Sequence, residues 1–421
     1  MAQYPVKTGR KLPRWLRILG PGLITGAADD DPSGIATYSQ AGAAFGYAQL
    51  WTIALCLPLM IAVQEATARI GATTGKGLAK VTAENFSRRV LLAVVGLIVF
   101  ANVINIGADI AAVGAALHLL IDIPQVVIAT LFTVLVIVLM IFTNYHVYAR
   151  ILKIFALALF AYVITALIVD EPWREIAHAT FVPQFQWNFS YWYVIVGVLG
   201  TTISPYMFFW QAAEEVEELE YADAQHKLRR TISDIRWDTS SGMVISQLGS
   251  WFMMLTTATV LHPNGITNIG TAADAAKALE PFAGSFAKEV FAIGVVGMGL
   301  LGIPVLAGSA SYAVSELLGW DEGLNRKARE AKGFYGVIIG ATVVGFALTL
   351  MGFDPIKALI FAAVVNGLVA VPLVFLIRRI ATNGQIMGSF VSGKLSSTVL
   401  LLTFAIMAIC ALAMIGASFL R

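Results

Sequence analysis

Two short stretches of this 421-residue chain carry residues able to do chemistry. They are Ala28-Asp29-Asp30-Asp31-Pro32-Ser33-Gly34 and Gly200-Thr201-Thr202-Ile203-Ser204-Pro205-Tyr206. Each sets proline, glycine and small hydroxyl residues in the middle of apolar sequence. Pro32 and Pro205 each remove a backbone donor and release a carbonyl one turn earlier, which puts free carbonyls at Ala28 and Thr201. Away from water such a carbonyl needs a partner, and a cation is one. The half-helix ending before the break adds its negative dipole end. Asp31, beside Pro32, supplies formal charge. A carboxylate deep in an apolar span costs about 3 kcal/mol or more and is a functional candidate by default. The competing role for Asp31 is N-cap of the half-helix that begins near Ser33. Three adjacent aspartates repel one another unless a cation or water is present. Asp29 and Asp30 point elsewhere around the helix and are expected to line a solvated vestibule. The chemistry implied is cation binding by oxygen.

The elements that position these residues follow from composition. Hydrophobic residues make up 58% of the chain and charged residues only 13%, whereas soluble domains carry about 25% charged residues. Such a chain cannot cover its surface with polar groups, so its solvent is lipid. A helix needs roughly 20 apolar residues to cross the hydrocarbon core. Eleven stretches qualify: 19–46 (interrupted), 50–70, 90–121, 126–142, 151–169, 191–210, 243–261, 290–317, 334–353, 358–377 and 399–420. Lipid admits only helices or closed barrels, and these runs are too long and too uniformly apolar for barrel strands. The fold class expected is an all-α polytopic membrane protein with about 11 transmembrane helices. The interrupted spans are the first and the sixth. Five is odd, so those two helices run in opposite directions. That is the arrangement of LeuT-like inverted five-helix repeats, with binding at the unwound midpoints of the leading helices. The domain reading is a cytoplasmic N-terminal segment, 1–18, then one transporter domain, 19–421. Its repeats cover about 19–169 and 191–377, with an extra helix at 399–420.

Charge distribution sets the expected orientation. With the N-terminus inside and strict alternation, all 28 Lys and Arg lie inside except Arg174, Lys277, Lys288, Lys357 and Arg421. That asymmetry fits the positive-inside rule, with the C-terminus outside and a bacterial-type plasma membrane as the location. The basic N-terminus followed by 18–26 resembles a signal peptide, but the acidic interruption and ten further spans argue against cleavage. Cys56 and Cys410 fall inside spans and imply no disulfide framework. The basic stretches flank the membrane, so there is no nucleic-acid footprint, and no obligate protein partner is evident. Glu214-Glu215-Val216-Glu217-Glu218 reads as the solvated end of a cytoplasmic helix rather than a metal-attracting patch. Residues 271–282 suit a short interfacial helix, and Gly302-Ile303-Pro304 suits a kink in the eighth span.

The quoted stretches resemble the Nramp metal-ion transporters. The resemblance runs through Gly20-Pro21-Gly22, Asp31-Pro32-Ser33-Gly34, Ala41 to Tyr47 and Gly75-Lys76. It continues at Gly107-Ala108-Asp109-Ile110 and at Gly200 to Pro205. The family signature Asp-Pro-Gly-Asn aligns with Asp31-Pro32-Ser33-Gly34, and Met-Pro-His with Ser204-Pro205-Tyr206. The resemblance implies that Asp31, position 34, position 204 and the carbonyls of Ala28 and Thr201 hold the ion. Here Gly34 replaces Asn and Ser204 replaces Met. Thioether sulfur favours softer metals, whereas oxygen suits Mg²⁺, Ca²⁺ and Mn²⁺. Losing both side chains also leaves a wider cavity. Mg²⁺ gives up its waters reluctantly, so a wide oxygen-lined site suits a hydrated ion. The combination is similar to the Nramp-related magnesium transporters, a branch carrying Mg²⁺ and also Mn²⁺.

Typical members resemble proton symporters. Here Tyr206 and Gln211 stand in place of the histidines, and Ala112 in place of the second acid beyond Asp109. The histidines, 118, 146, 178, 226 and 262, fall at span ends or in loops. A relay needs titratable groups in series, so proton coupling is expected to be weak or absent. Asp109 on the ion pathway could still bind a proton or pair with water, or be a buried acid bonded to a neighbouring helix. Asn366 could face the ion or its waters, and Gln64 and Glu65 could line the inner exit, although interhelical bonding competes for each. No nucleophile–base arrangement is apparent and no cofactor is implied; Mg²⁺ or Mn²⁺ is substrate. The alternatives are a proton-coupled Mn²⁺/Fe²⁺ importer, an amino-acid symporter on the same scaffold and a non-transporting metal sensor.

Overall fold

The computed structural model describes residues 21–143, 160–221 and 232–419. Every regular element among them is helical. In chain order the helices are α1 (Pro21–Asp29), α2 (Pro32–Phe45), α3 (Leu50–Thr74), α4 (Leu78–Asn85), α5 (Arg88–His118) and α6 (Gln125–Phe142). Then come α7 (Phe160–Ile168), α8 (Trp173–Phe181), α9 (Phe189–Thr202), α10 (Pro205–Tyr221) and α11 (Ile232–Val260). The remainder are α12 (Ala272–Ala276), α13 (Glu280–Ala283), α14 (Ala287–Leu318), α15 (Lys332–Thr349), α16 (Pro355–Ala381), α17 (Gly384–Met387) and α18 (Lys394–Ser418).

Nine continuous helical stretches among the described residues are long and apolar enough to cross a membrane. They match the eleven expected spans once two facts are set beside them. The stretch Pro32–Thr74 joins the second half of the first span to the second span. The fifth span is described only from Phe160 onward, its earlier part lying outside the described residues. The repeat boundary expected near 169 falls just after α7.

Both interruptions are present and alike. α1 and α2 are separated by Asp30 and Asp31, and α9 and α10 by Ile203 and Ser204, with a proline opening the second half each time. The proline fits because the first helical position has no N–H to satisfy, and its φ is already helical. Asp31 is extended, at φ −62° and ψ 172°, and Ile203 sits at φ −109° and ψ 61°.

Small residues let neighbouring helices close on these breaks, as is usual where lipid gives no hydrophobic drive between helices. α11 lies along α1 and α2: a Cβ on Gly26 would come within 2.4 Å of the Gly242 oxygen, and one on Gly42 within 2.2 Å of the Met254 oxygen. α16 closes on α9 in the same way, since a Cβ on Gly200 would lie 2.0 Å from the Ala363 oxygen. α14 stays helical through Pro304, and its Gly302 faces Asp31, whose Cβ lies 3.1 Å from where a Gly302 Cβ would stand.

Several loop expectations are revised. The 271–282 region is helical, with Thr271 capping α12, but Ala272, Ala275, Ala276, Ala278 and Leu279 are buried, so it packs onto the protein. α4 and α8 are short helices in loops that the sequence left unassigned. The acidic run is not solvated: Glu214, Glu215 and Glu217 are buried. Glu217 accepts from Tyr312, from the Leu324 and Asn325 amides and from the Asn325 side chain, tying α10 to α14 and the loop after it. Charge spacing alone could not reveal that this helix end is covered. Glu65, placed by sequence near an exit, is held by Arg69 within α3 and by Arg236 of α11, each at 2.8–2.9 Å. Of the histidines, His146 and His226 lie outside the described residues. His118 ends α5, His178 is in α8 and His262 follows α11.

Candidate ion site at two helix breaks

Asp31 is the hub. Its Oδ1 accepts from the Gly34 amide at 2.9 Å and from the Ser33 hydroxyl at 2.6 Å, so the carboxylate does cap α2. Its Oδ2 accepts from Asn105 Nδ2 at 2.9 Å and from the Tyr206 hydroxyl at 3.4 Å. Capping and ion binding are therefore not exclusive. One oxygen fixes the start of the half-helix, and the other points between α5 and α10.

The carbonyls expected to be released by the prolines have found hydroxyl partners. The Tyr206 hydroxyl reaches across from α10 to the Ala28 oxygen at 3.3 Å. The Ser204 hydroxyl turns back to the Thr201 oxygen at 2.6 Å and the Gly200 oxygen at 2.8 Å. The two breaks also meet directly: Ser33 and Thr201 hydroxyls are 3.4 Å apart, and those of Tyr38 and Thr202 are 2.8 Å apart. Ala28, Asp31 and Ser204 are 0% exposed and Thr201 is 1% exposed, so the site is closed to solvent in this conformer.

Two expectations change. The space opened by glycine at position 34 is not a free cavity in this conformer. A Cβ there would lie 3.3 Å from both the Thr201 hydroxyl and the Tyr38 ring, which crowd the place where a side chain would start. Asp29 and Asp30 do not line a solvated vestibule. They are buried against α11, where Ser246 donates to Asp29 Oδ2 at 2.6 Å and Ser250 to Asp30 Oδ1 at 3.0 Å. Ser246 and Ser250 are one turn apart in an apolar helix. Nothing in the local sequence tells which helix those hydroxyls face.

The other polar candidates divide. Asp109 of α5 is fully buried, neither carboxyl oxygen has a partner, and its Oδ2 lies 3.8 Å from a Cβ built on Gly302, the residue that faces Asp31. Asn366 is buried with both amide atoms unpartnered, on the stretch of α16 whose Ala363 and Gly367 pack against Gly200. Gln211 is placed further along α10; it accepts from Thr25 of α1 at 2.6 Å and donates to Glu215 at 3.1 Å. It ties the two half-helices together away from Asp31. Asn105 was missed by sequence reading, although an amide one turn before Asp109 in an apolar run carries the same signal. Among the described residues no three His, Cys, Asp or Glu side chains converge on a point able to hold a metal ion. An ion at Asp31 would take its other ligands from carbonyls, hydroxyls, amides or water.

The sequence pattern of one transporter family, described as "Natural resistance-associated macrophage protein-like", matches residues 22–417. The chain belongs to the Nramp family. Similar Nramp-related proteins include "Divalent metal cation transporter MntH" of Chromohalobacter salexigens, 27% identical over 400 residues, covering 90% of this chain and 86% of the relative. The protein of the same name from Ralstonia nicotianae is 25% identical and covers 94% of this chain and 91% of its own. Among solved structures, the Eremococcus coleocola manganese transporter superposes with a TM-score of 0.68 at 16% identity, covering 98% and 96% of the two chains. Mhp1, a nucleobase-cation-symport-1 family transporter, superposes at 0.58 with 13% identity, covering 96% and 91%. At these identities the structures speak for the fold, a LeuT-like transporter with broken first and sixth helices. The curated relatives are named as divalent metal cation transporters, not as enzymes.

Proposed function

We propose that this chain imports Mg²⁺, and also Mn²⁺, as a partly hydrated ion by alternating access with little or no proton coupling. Transport of divalent metal cations is the activity named for its curated relatives. The observation that carries the finer reading is the lining of the Asp31 site. Position 204 holds a hydroxyl bonded to two carbonyls, position 34 holds no side chain, and Asp31 is met by hydroxyl and amide groups. Oxygen ligands without thioether sulfur suit hard cations such as Mg²⁺ and Mn²⁺. Mg²⁺ typically keeps several waters and needs only one or two carboxylates, and among the described residues no three acidic or imidazole side chains converge. The closed conformer would open to admit the hydrated ion.

With the N-terminus cytoplasmic, as the Lys and Arg distribution favours, a dication moving inward gains about 4.6 kcal/mol per 100 mV of membrane potential. Proton coupling is then not energetically required. Tyr206 and Gln211 are committed to hydrogen bonds with Ala28, Asp31, Thr25 and Glu215, which leaves them as structural ties rather than proton carriers.

The test is uptake into liposomes holding the full chain, with separate dyes for Mg²⁺, Mn²⁺ and internal pH under an inside-negative potential. Entry of Mg²⁺ and Mn²⁺ without acidification is expected. Mn²⁺ entry with acidification and no Mg²⁺ entry would overturn the proposal.

A further inference from the structure

We propose that Asn105 is a specificity-determining residue of the ion site, its amide oxygen accepting from the water shell of the transported dication. The inference rests on the reading of Asp31 as the ion's anchor. Asn105 lies in the middle of α5, fully buried, and its Nδ2 donates to Asp31 Oδ2 at 2.9 Å. Its own Oδ1 is buried and has no partner. A buried acceptor left unsatisfied is costly, and a purely structural partner for Asp31 would need only the donor half of the amide.

The geometry fixes which oxygen of Asp31 the ion would share. Oδ1 is engaged by the Gly34 amide and the Ser33 hydroxyl at the start of α2. Oδ2 remains, and Asn105 is its shortest contact. One turn further along α5, Asp109 adds two more buried oxygens without partners, and Gly302 separates its carboxyl from Asp31 with no side chain in between. α5 therefore presents three unpartnered acceptor oxygens around Asp31. Metal-bound waters point their hydrogens outward, so a hydrated dication is recognised by acceptors one water away, and such bridged contacts are nearly as favourable as direct ones. An ion that sheds more of its water makes less use of that acceptor than Mg²⁺ does.

The test measures initial uptake of Mg²⁺ and of Mn²⁺ into liposomes by the full chain and by Asn105→Leu and Asn105→Asp. Leucine keeps the branched shape and removes both polar atoms; aspartate keeps the acceptor and removes the donor. Loss of a hydrogen bond to the ion's shell should raise KM for Mg²⁺ in Asn105→Leu about tenfold. The maximal rate should hold to within about twofold, as expected where binding alone is lost. KM for Mn²⁺ should rise less than that for Mg²⁺, and Asn105→Asp should restore KM for Mg²⁺ toward the original value. A structural role in holding Asp31 would harm both ions alike, and Asn105→Asp would fail as Asn105→Leu does. That pattern, or an unchanged KM in Asn105→Leu, overturns the proposal. If Asn105→Leu does not fold, as judged by its thermal midpoint, the Mg²⁺ to Mn²⁺ ratio of Asn105→Ala decides in the same way. An unmodified chain that carries neither ion would instead overturn the site reading beneath this inference.

Discussion

At the scale of single residues, Asp31 caps α2 with one oxygen, and in the function proposed above its other oxygen anchors the ion while its neighbours set which ions can use it. Ser204 is the neighbour with the clearest consequence. Its hydroxyl takes up the Thr201 and Gly200 carbonyls that close α9. Replacing it with methionine removes that hydroxyl and offers a soft sulfur to the same space. Ser204→Met should lower the ratio of Mg²⁺ to Mn²⁺ uptake by about tenfold, since sulfur favours the softer ion. Competition of the two ions in one vesicle preparation measures this, and an unchanged ratio would show that position 204 does not set preference. The structure brings together at the two breaks several residues that the sequence singles out. Asp31, Ser204, Ala28 and Thr201 stood out because proline and polar residues in an apolar run have few structural explanations. Asn105 escaped notice because asparagine in a span usually serves interhelical bonding, and only geometry shows that half of its amide is unused.

At the scale of elements, the breaks are held by glycines that let whole helices approach. Gly200 sits three residues before Ile203, against α16, and a Cβ there would meet the Ala363 oxygen at 2.0 Å and the Gly367 nitrogen at 2.3 Å. Both obstacles are backbone, so a helix must shift. Gly200→Ala should destabilise the protein by about 1–3 kcal/mol, the usual cost of overpacking, seen as a lower thermal midpoint in detergent. It should also slow uptake, because α9 carries Thr201. A midpoint equal to that of the unmodified chain would mean that α16 does not press on the break. The helix breaks themselves were readable from Pro32 and Pro205. The choice of neighbours was not: Ser246 and Ser250 meet Asp29 and Asp30 only because Gly26 and Gly242 bring α1 and α11 together, and that pairing is long-range. Burial of Glu217 by Tyr312 and the loop at 324–325 was hidden for the same reason.

At the scale of the whole molecule, composition and charge distribution were enough to give a helical membrane bundle, and the odd spacing of two broken spans gave its inverted-repeat plan. Those signals are strong because lipid forbids unpaired backbone. The conformation was not readable, since a transporter's sequence encodes its open and closed packings together. The structure shows a closed one, with Thr201 and Tyr38 filling the space beside Gly34. In the import cycle proposed above, the two breaks would separate, admit the ion with part of its water, and close again. The claim beneath all of this is that the carboxylate at residue 31 anchors Mg²⁺. Calorimetric titration of the purified full chain with Mg²⁺, beside Asp31→Ala, tests it most directly. The account predicts saturable Mg²⁺ binding by the unmodified chain, weakened at least about tenfold in Asp31→Ala, as expected for losing a charged ligand. Equal binding by the two proteins would contradict it.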